Sequence, residues 1–219
     1  MNEHMDSTFC LPAAPIPSGF RYLSDEQRNE SMKAALKHWD GDKDLWVYAY
    51  GSLIWNPGFD YSEQRLGKLT GHHRALCLWS RVNRGTPELP GLVFGLDRGG
   101  SCRGMAFRIA ARSVEETFDA LWRREMGTGA YHPRWLRCET VTGPISALAF
   151  VIDRRNPGYV KAMPDHQAIE VIRRASGKYG PCTDYVVQTH EALSAAGIHD
   201  RRLAGLAARL RERIDTLRP

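Results

Sequence analysis

Four short segments of this 219-residue chain carry side chains suited to chemistry. The first, Tyr48-Ala49-Tyr50-Gly51-Ser52-Leu53-Ile54-Trp55, runs from an apolar, strand-like stretch into Gly-Ser. Glycine reaches positive φ without steric cost, so a sharp turn is expected at Gly51. Successive N–H groups in such a turn can converge on one concavity and hold an anion. A plain strand end closed by a Gly-Ser turn accounts for the same residues. The second segment, Ser113 to Met126, reads as a helix opened by a Ser113/Glu116 capping box and closed before Gly127. Val114, Phe118, Leu121, Trp122 and Glu125 share one stripe of it, which Glu115, Glu116 and Asp119 do not. A carboxylate on an apolar stripe is costly unless it is paired or used. Burial raises its pKa, and a carboxylate moved toward neutrality suits general acid–base work. An ion pair with an arginine, or a swing to solvent at the helix end, is the structural alternative.

The third segment is the loop Arg81 to Gly91, where Arg84 could fork onto a carboxylate or simply serve a polar turn. The fourth is Tyr179 to Tyr185. Thr183 is expected as an N-cap, which puts Tyr185 in the first turn of a helix. Its hydroxyl then faces a pocket, or its ring packs in the core. Other candidates fall away. His72 and His73 are adjacent, so on a strand they face opposite sides and cannot share a metal. There is no H-E-x-x-H, no Walker loop and no G-x-G-x-x-G before a helix, and Ser52 lacks the G-x-S-x-G elbow.

These segments need a frame. Ser24 to Gln27 reads as a capping box, and Met32, Ala35, Leu36 and Trp39 follow at helical spacing, ending before Gly41. Strands are expected at Leu45–Tyr50, Ala75–Ser80, Gly91–Leu96 and Gly104–Ile109. After the Glu125 helix come Trp135–Val141 and Ile145–Ile152, divided by a Gly143-Pro144 turn. Three helical stripes close the chain: Ala168, Ile169, Ile172 and Ala175; then Tyr185 to Ala196; then Leu203 to Leu217, with Asp200 as N-cap. Strands and helices do not alternate regularly, so a mixed or antiparallel sheet fits better than a doubly wound parallel one. The expected class is α+β (mixed α/β): a small mixed β-barrel of about five to seven strands, one inserted helix and flanking helices. Residues 1–44 are expected as an extension with one amphipathic helix, irregular over 1–20, and 45–219 as the domain proper.

Composition is that of a globular chain, with 42% hydrophobic and 25% charged residues. No run of eighteen apolar residues suggests a membrane span, and the first twenty residues lack a secretory pattern. Of the net charge of +5, most comes from residues 201–219, where six arginines face Glu212 and Asp215. A solvated helix face explains this run better than a nucleic-acid surface, because the six tryptophans are not interleaved with basic residues. The five cysteines form no C-x-x-C pair, so reduced, buried thiols and a cytoplasmic location are expected.

In order along the chain, YGSLIW at Tyr50–Trp55, NRGTPELPG at Asn83–Gly91, LWRREMGTGAY at Leu121–Tyr131 and the tyrosine of TDY at Tyr185 resemble the ChaC-type γ-glutamylcyclotransferases. Each match alone is short; the ordered set spans about residues 45–190. The resemblance implies a barrel with a pocket at one end. It implies cleavage of glutathione to 5-oxoproline and Cys-Gly without metal or cofactor. The family's catalytic glutamate falls on Glu125, its anion-holding loop on Ala49–Ile54 and its pocket tyrosine on Tyr185. Ala49 stands where eukaryotic members often carry Gly, and Thr183-Asp184 differs from some relatives before Tyr185.

The implied chemistry needs no enzyme nucleophile, because the γ-glutamyl α-amine can itself close a five-membered lactam on the γ-carbonyl. Glu125 would move the proton, the turn at Gly51-Ser52-Leu53 would hold the α-carboxylate or the carbonyl oxygen, and Tyr185 would hold the glutamyl moiety. Arg84 would meet the glycine carboxylate. Two other readings remain open: the same chemistry on other γ-glutamyl amines or dipeptides, and a non-catalytic binding or regulatory protein. The sequence sets no oligomeric state.

Overall fold

Two long strands dominate the fold. The computed structural model describes residues 22–161 and 163–215. In it β2 (Glu63–Ser80) and β3 (Gly91–Ile109) pair antiparallel along nearly their whole length, from Glu63↔Arg108 to Ser80↔Gly91. Strand β1 (Leu45–Ala49) lies antiparallel to β3 and parallel to β5 (Gly143–Ile152). With β4 (Tyr131–Thr140) they close a barrel in the order β1-β3-β2-β4-β5. A two-residue ladder, β6 (Ser176–Gly177) with β7 (Gly180–Pro181), brings the strand total among the described residues to seven. The mixed barrel expected from the sequence is therefore present.

The strand count inside the barrel departs from the sequence reading. Gly91–Leu96 and Gly104–Ile109 are one strand, and Ala75–Ser80 is only the end of β2. The glycines that read as breaks are bends. Gly71, Gly99 and Gly100 all have positive φ, and the β2–β3 register shifts between Thr70 and His72 beside them. Bulges of this kind raise the twist and curl a sheet toward closure. The β4–β5 turn is also displaced. Gly143 and Pro144 already pair with Thr140 and Glu139, so the two loop residues are Val141 and Thr142.

Strand β1 divides the core by its period of two. Val47 and Ala49 join a cluster with Phe107, Phe150 and helix α2 (Val114–Glu125), while Tyr48 and Tyr50 face a second cluster with the later helices. Helix α1 (Asp25–Ala35) keeps its Ser24/Gln27 capping box but ends at Ala35, short of Gly41; Met32 and Ala35 on it, and Leu36 and Trp39 just after it, pack on the α2 side. Helices α3 (Asp165–Arg174), α4 (Cys182–Ala195) and α5 (Arg201–Asp215) cover the other side. Asp200 caps α5 as expected, its Oδ1 accepting the Leu203 N–H at 3.0 Å. The exposed arginines of α5 form a solvated face, with Arg202 paired to Asp165 at 2.9 Å and Arg211 to Glu191.

Two expected caps are absent. Ser113 ends a 3-10 turn, Ala111–Ser113, with ψ near 0°, and its hydroxyl makes no cap bond; an extended conformation would be needed to aim it back at the helix. Helix α4 begins at Cys182 after Pro181, so Thr183 lies inside its first turn rather than at the cap. Cys77, Cys102, Cys138 and Cys182 are buried free thiols, while Cys10, the lead-in 1–20 and Leu217 lie outside the described residues. No helix among the described residues is long and apolar enough to cross a membrane.

Candidate active site

Beyond the end of β1 a cavity of about 780 Å³ opens between α2, α4 and the loop after β2. Its walls include Tyr50, Gly51, Ser52, Leu53, Arg84, Glu125 and Tyr185, seven of the nine residues singled out in the sequence. Ala49 and Ile54 do not line it. Ala49 is fully buried on the opposite face of β1, where it packs with Val47, because neighbouring strand residues alternate sides. Ile54 is half-buried and packs against both core clusters.

The chain leaves β1 through a single 3-10 turn, Ser52–Ile54. The turn's own bonds start at Ile54, whose N–H donates to Gly51 O at 3.0 Å. Among the described residues no acceptor meets the N–H groups of Gly51, Ser52 or Leu53, as expected at the start of a helical turn. The reason for glycine here differs from the sequence expectation. Gly51 has φ −135°, not a positive value. What favours glycine is proximity: a Cβ would lie 3.3 Å from the Tyr185 hydroxyl, which would have to give by a few tenths of an ångström, and 3.7 Å from Phe94 Cβ.

Helix α2 brings Glu125 to the same cavity. Val114, Phe118, Leu121 and Trp122 are buried on the shared stripe, which fixes the helix's rotation and turns Glu125 to the cavity. Only 17% of its side chain remains exposed. Burial raises its pKa, and the neighbouring Arg124 guanidinium opposes the shift without cancelling it. Arg124 approaches Glu125 Oε1 through Nε at 3.2 Å. Its Nη2 donates to Ser52 Oγ at 3.1 Å, and Nη1 to Asn56 O at 2.7 Å and Pro57 O at 3.1 Å. One arginine thus ties the end of α2 to the turn after β1.

Three tyrosines surround the carboxyl. Tyr50 donates to Phe150 O at 2.7 Å and Tyr131 to Phe94 O at 3.3 Å. The Tyr185 hydroxyl accepts the Phe94 N–H at 3.0 Å, which leaves its own proton for a ligand. Burial pushes all three hydroxyls above the ordinary tyrosine value, and the charge on Glu125 pushes the same way. They are neutral donors, not bases.

Arg84 lines the cavity beside Trp55 and Tyr185. Its guanidinium carbon lies 5.5 Å from the Tyr185 ring centroid and 5.8 Å from that of Trp55. Nη1 donates to Tyr179 O at 2.6 Å and Pro181 O at 3.2 Å. The loop it belongs to is stitched to the β6–β7 hairpin through Lys178 N–H to Val82 O and Tyr179 N–H to Asn83 O.

Tyr131 and Arg124 were not singled out in the sequence. Tyr131 closes the LWRREMGTGAY segment, so it was visible there without a role. Arg124 follows from no periodicity, since it lies off the apolar stripe and acts on a turn 72 residues away. Among the described residues no group of three or more His, Cys, Asp or Glu side chains stands where it could hold a metal ion.

The family model described as ChaC-like protein matches residues 45–213. The chain is 35% identical over 184 residues to the glutathione-specific γ-glutamylcyclotransferase of Escherichia coli K12, covering 84% of this chain and 80% of that protein. It is 32% identical over 164 residues to glutathione-specific γ-glutamylcyclotransferase 1 of mouse, covering 72% and 74%. Among solved structures, the yeast γ-glutamyl cyclotransferase specific to glutathione superposes with a TM-score of 0.72 at 18% identity, covering 77% of this chain and 96% of that one. That likeness carries the fold.

Proposed function

The chain belongs to the ChaC-like family, and on that premise we propose that it cleaves glutathione with Glu125 as the group that moves the proton. The reaction is a cyclisation: the γ-glutamyl group closes on itself and leaves as 5-oxoproline, releasing Cys-Gly. The observation that supports the role of Glu125 is its placement, a buried carboxyl with a raised pKa on the wall of the cavity, beside an unpaired backbone turn.

Ionised Glu125 takes a proton from the substrate α-ammonium. The freed amine attacks the γ-carbonyl carbon, and the new C–N bond closes the ring. The amide C–N bond then breaks as protonated Glu125 delivers its proton to the leaving nitrogen, and Glu125 carries the second proton, shed as the ring nitrogen becomes a lactam N–H, to the freed amine, so that Cys-Gly leaves as its ammonium. Glu125 ends as it began, and no water is consumed. Proton transfer of this kind contributes about 10²–10⁴-fold. A carboxyl held above its ordinary pKa is a stronger base toward an ammonium and an adequate acid toward the leaving amine.

The N–H groups of Gly51, Ser52 and Leu53 hold the α-carboxylate, a full charge that uses several donors at once. Tyr185 donates to the glutamyl moiety, and Arg84 meets the glycine carboxylate. Holding both ends bends the substrate toward the ring-closing conformer, which removes entropy from the barrier. The cytosol is the proposed compartment, in keeping with four free buried thiols among the described residues.

The test is product analysis in ¹⁸O-labelled water. Cyclisation gives 5-oxoproline and Cys-Gly with no label in either. Labelled glutamate in place of 5-oxoproline would mean hydrolysis and would overturn the reading.

A further inference from the structure

Behind the Gly51 turn, outside the cavity, lies a buried arginine that the mechanism does not use. Arg74 projects from β2, and its side chain is only 5% exposed. Each of its nitrogens has a partner. Nε donates to Tyr50 O at 2.5 Å, Nη2 to Arg103 O at 2.6 Å, and Nη1 meets Asp200 Oδ2 at 2.9 Å. Asp200 is itself fixed, because its other oxygen caps α5. We propose that Arg74, braced by Asp200, is a positioning residue that orients the Tyr50–Gly51 peptide and so aims the Gly51 N–H at the substrate α-carboxylate. This rests on the reading of the turn given above.

The argument is one of peptide geometry. The Tyr50–Gly51 bond is trans, so its C=O and N–H point in opposite directions. Arg74 does not line the cavity, whereas Gly51 does. A carbonyl drawn outward to the guanidinium therefore sends the N–H inward. The carbonyl partner carries a full positive charge, and charge-assisted bonds are shorter and stronger than neutral ones. They also polarise the peptide, which makes the N–H a better donor. The fork geometry is required, since one head must reach two carbonyls and a carboxylate. A lysine at 74 keeps the charge but loses the simultaneous fit.

The experiment compares Arg74→Lys and Asp200→Asn with the wild type, using glutathione as substrate and the two products as inhibitors. 5-Oxoproline retains the α-carboxylate; Cys-Gly does not. Arg74→Lys is expected to raise KM for glutathione about tenfold with kcat within about twofold of wild type, the loss of one good bond to an anion. The inhibition constant of 5-oxoproline rises in parallel, and that of Cys-Gly stays. Asn caps a helix as well as Asp does, so Asp200→Asn keeps α5 and loosens only the brace. It is expected to raise KM and the 5-oxoproline constant about threefold. Partial unfolding would lower apparent kcat without moving either constant. Wild-type constants in a folded Arg74→Lys enzyme would overturn the proposal, as would equal weakening of both products. Should Arg74→Lys not fold, unchanged constants in Asp200→Asn overturn it. A wild type that makes no 5-oxoproline sinks the reading of the site; a wild type that does, with variants indistinguishable from it, sinks Arg74 alone.

Discussion

At the scale of single residues, Glu125 is set by a contest between burial and one neighbour. Burial wins, so the folded-state pKa lies above the ordinary carboxylate value. The base must be ionised to accept the ammonium proton. kcat/KM should therefore fall on the acid side through an apparent pKa above the usual carboxylate range, which a pH–rate profile reads directly. A limb at or below an unperturbed glutamate value would contradict it. The sign for stability is opposite. A raised folded pKa means the folded state holds the proton longer than the unfolded chain, so stability falls as pH rises between the unfolded and folded values. Glu125→Gln, which cannot ionise, should melt at or above the wild-type temperature at neutral pH. Glu125 was legible in the sequence because it continues a stripe of four apolar residues. Arg124 was not, because its partners Ser52, Asn56 and Pro57 are brought to it only by the fold.

At the scale of elements, the turn after β1 and the end of α2 act as a pair. The turn offers N–H groups, so Ser52→Ala should cost little in turnover, within about threefold, because its hydroxyl only accepts from Arg124, which Asn56 O, Pro57 O and Glu125 also hold in place. A loss as large as that of the glutamate variant would point to a chemical role for the hydroxyl. Gly51→Ala should cost more. Its Cβ would press on the Tyr185 hydroxyl at 3.3 Å, which must shift by a few tenths of an ångström and weaken its bond from Phe94 N–H. Assays of both variants at saturating glutathione separate the two effects. The sequence marked this glycine for its conformational freedom, whereas the fold uses its lack of a side chain. Distances across the cavity are not written in a local pattern. The same gap hid the continuity of β3: Gly99 and Gly100 look like turn residues until the bend of a closed barrel gives them a reason, and Gly104 until the close approach of Ala49 O and the Tyr48 ring does.

At the scale of the whole molecule, the barrel serves as the wall between two cores, and the site lies where both meet the end of β1. Trp122 anchors the α2 side. It is 2% exposed, stacks on Phe118 at 5.6 Å, meets Phe150 at 5.4 Å and donates to Ser31 Oγ of α1 at 3.2 Å. Trp122→Ala should destabilise the fold by about 3–5 kcal/mol by denaturant titration. A loss under about 1 kcal/mol would mean that α2 is not held by this contact. The fold class was readable because strands cluster before and after one helix. The two-sided packing was half readable, since β1 alternates Val47 and Ala49 against Tyr48 and Tyr50. Which helices took which side was not, because amphipathic stripes state that a face is buried without stating against what. Residues 1–44 read as an extension with one amphipathic helix; that helix, α1, is bound to the barrel side through Trp135 Nε1–H to Ala35 O at 2.8 Å as well as through Trp122.

The most direct measurement takes wild type and Glu125→Gln side by side with reduced glutathione and follows 5-oxoproline and Cys-Gly by mass spectrometry. The expected result is equal amounts of both products from the wild type. From the variant, with the melting temperature retained, turnover should be lower by about 10²–10⁴-fold. Wild-type turnover in a folded Glu125→Gln protein would remove Glu125 from the chemistry and contradict the account.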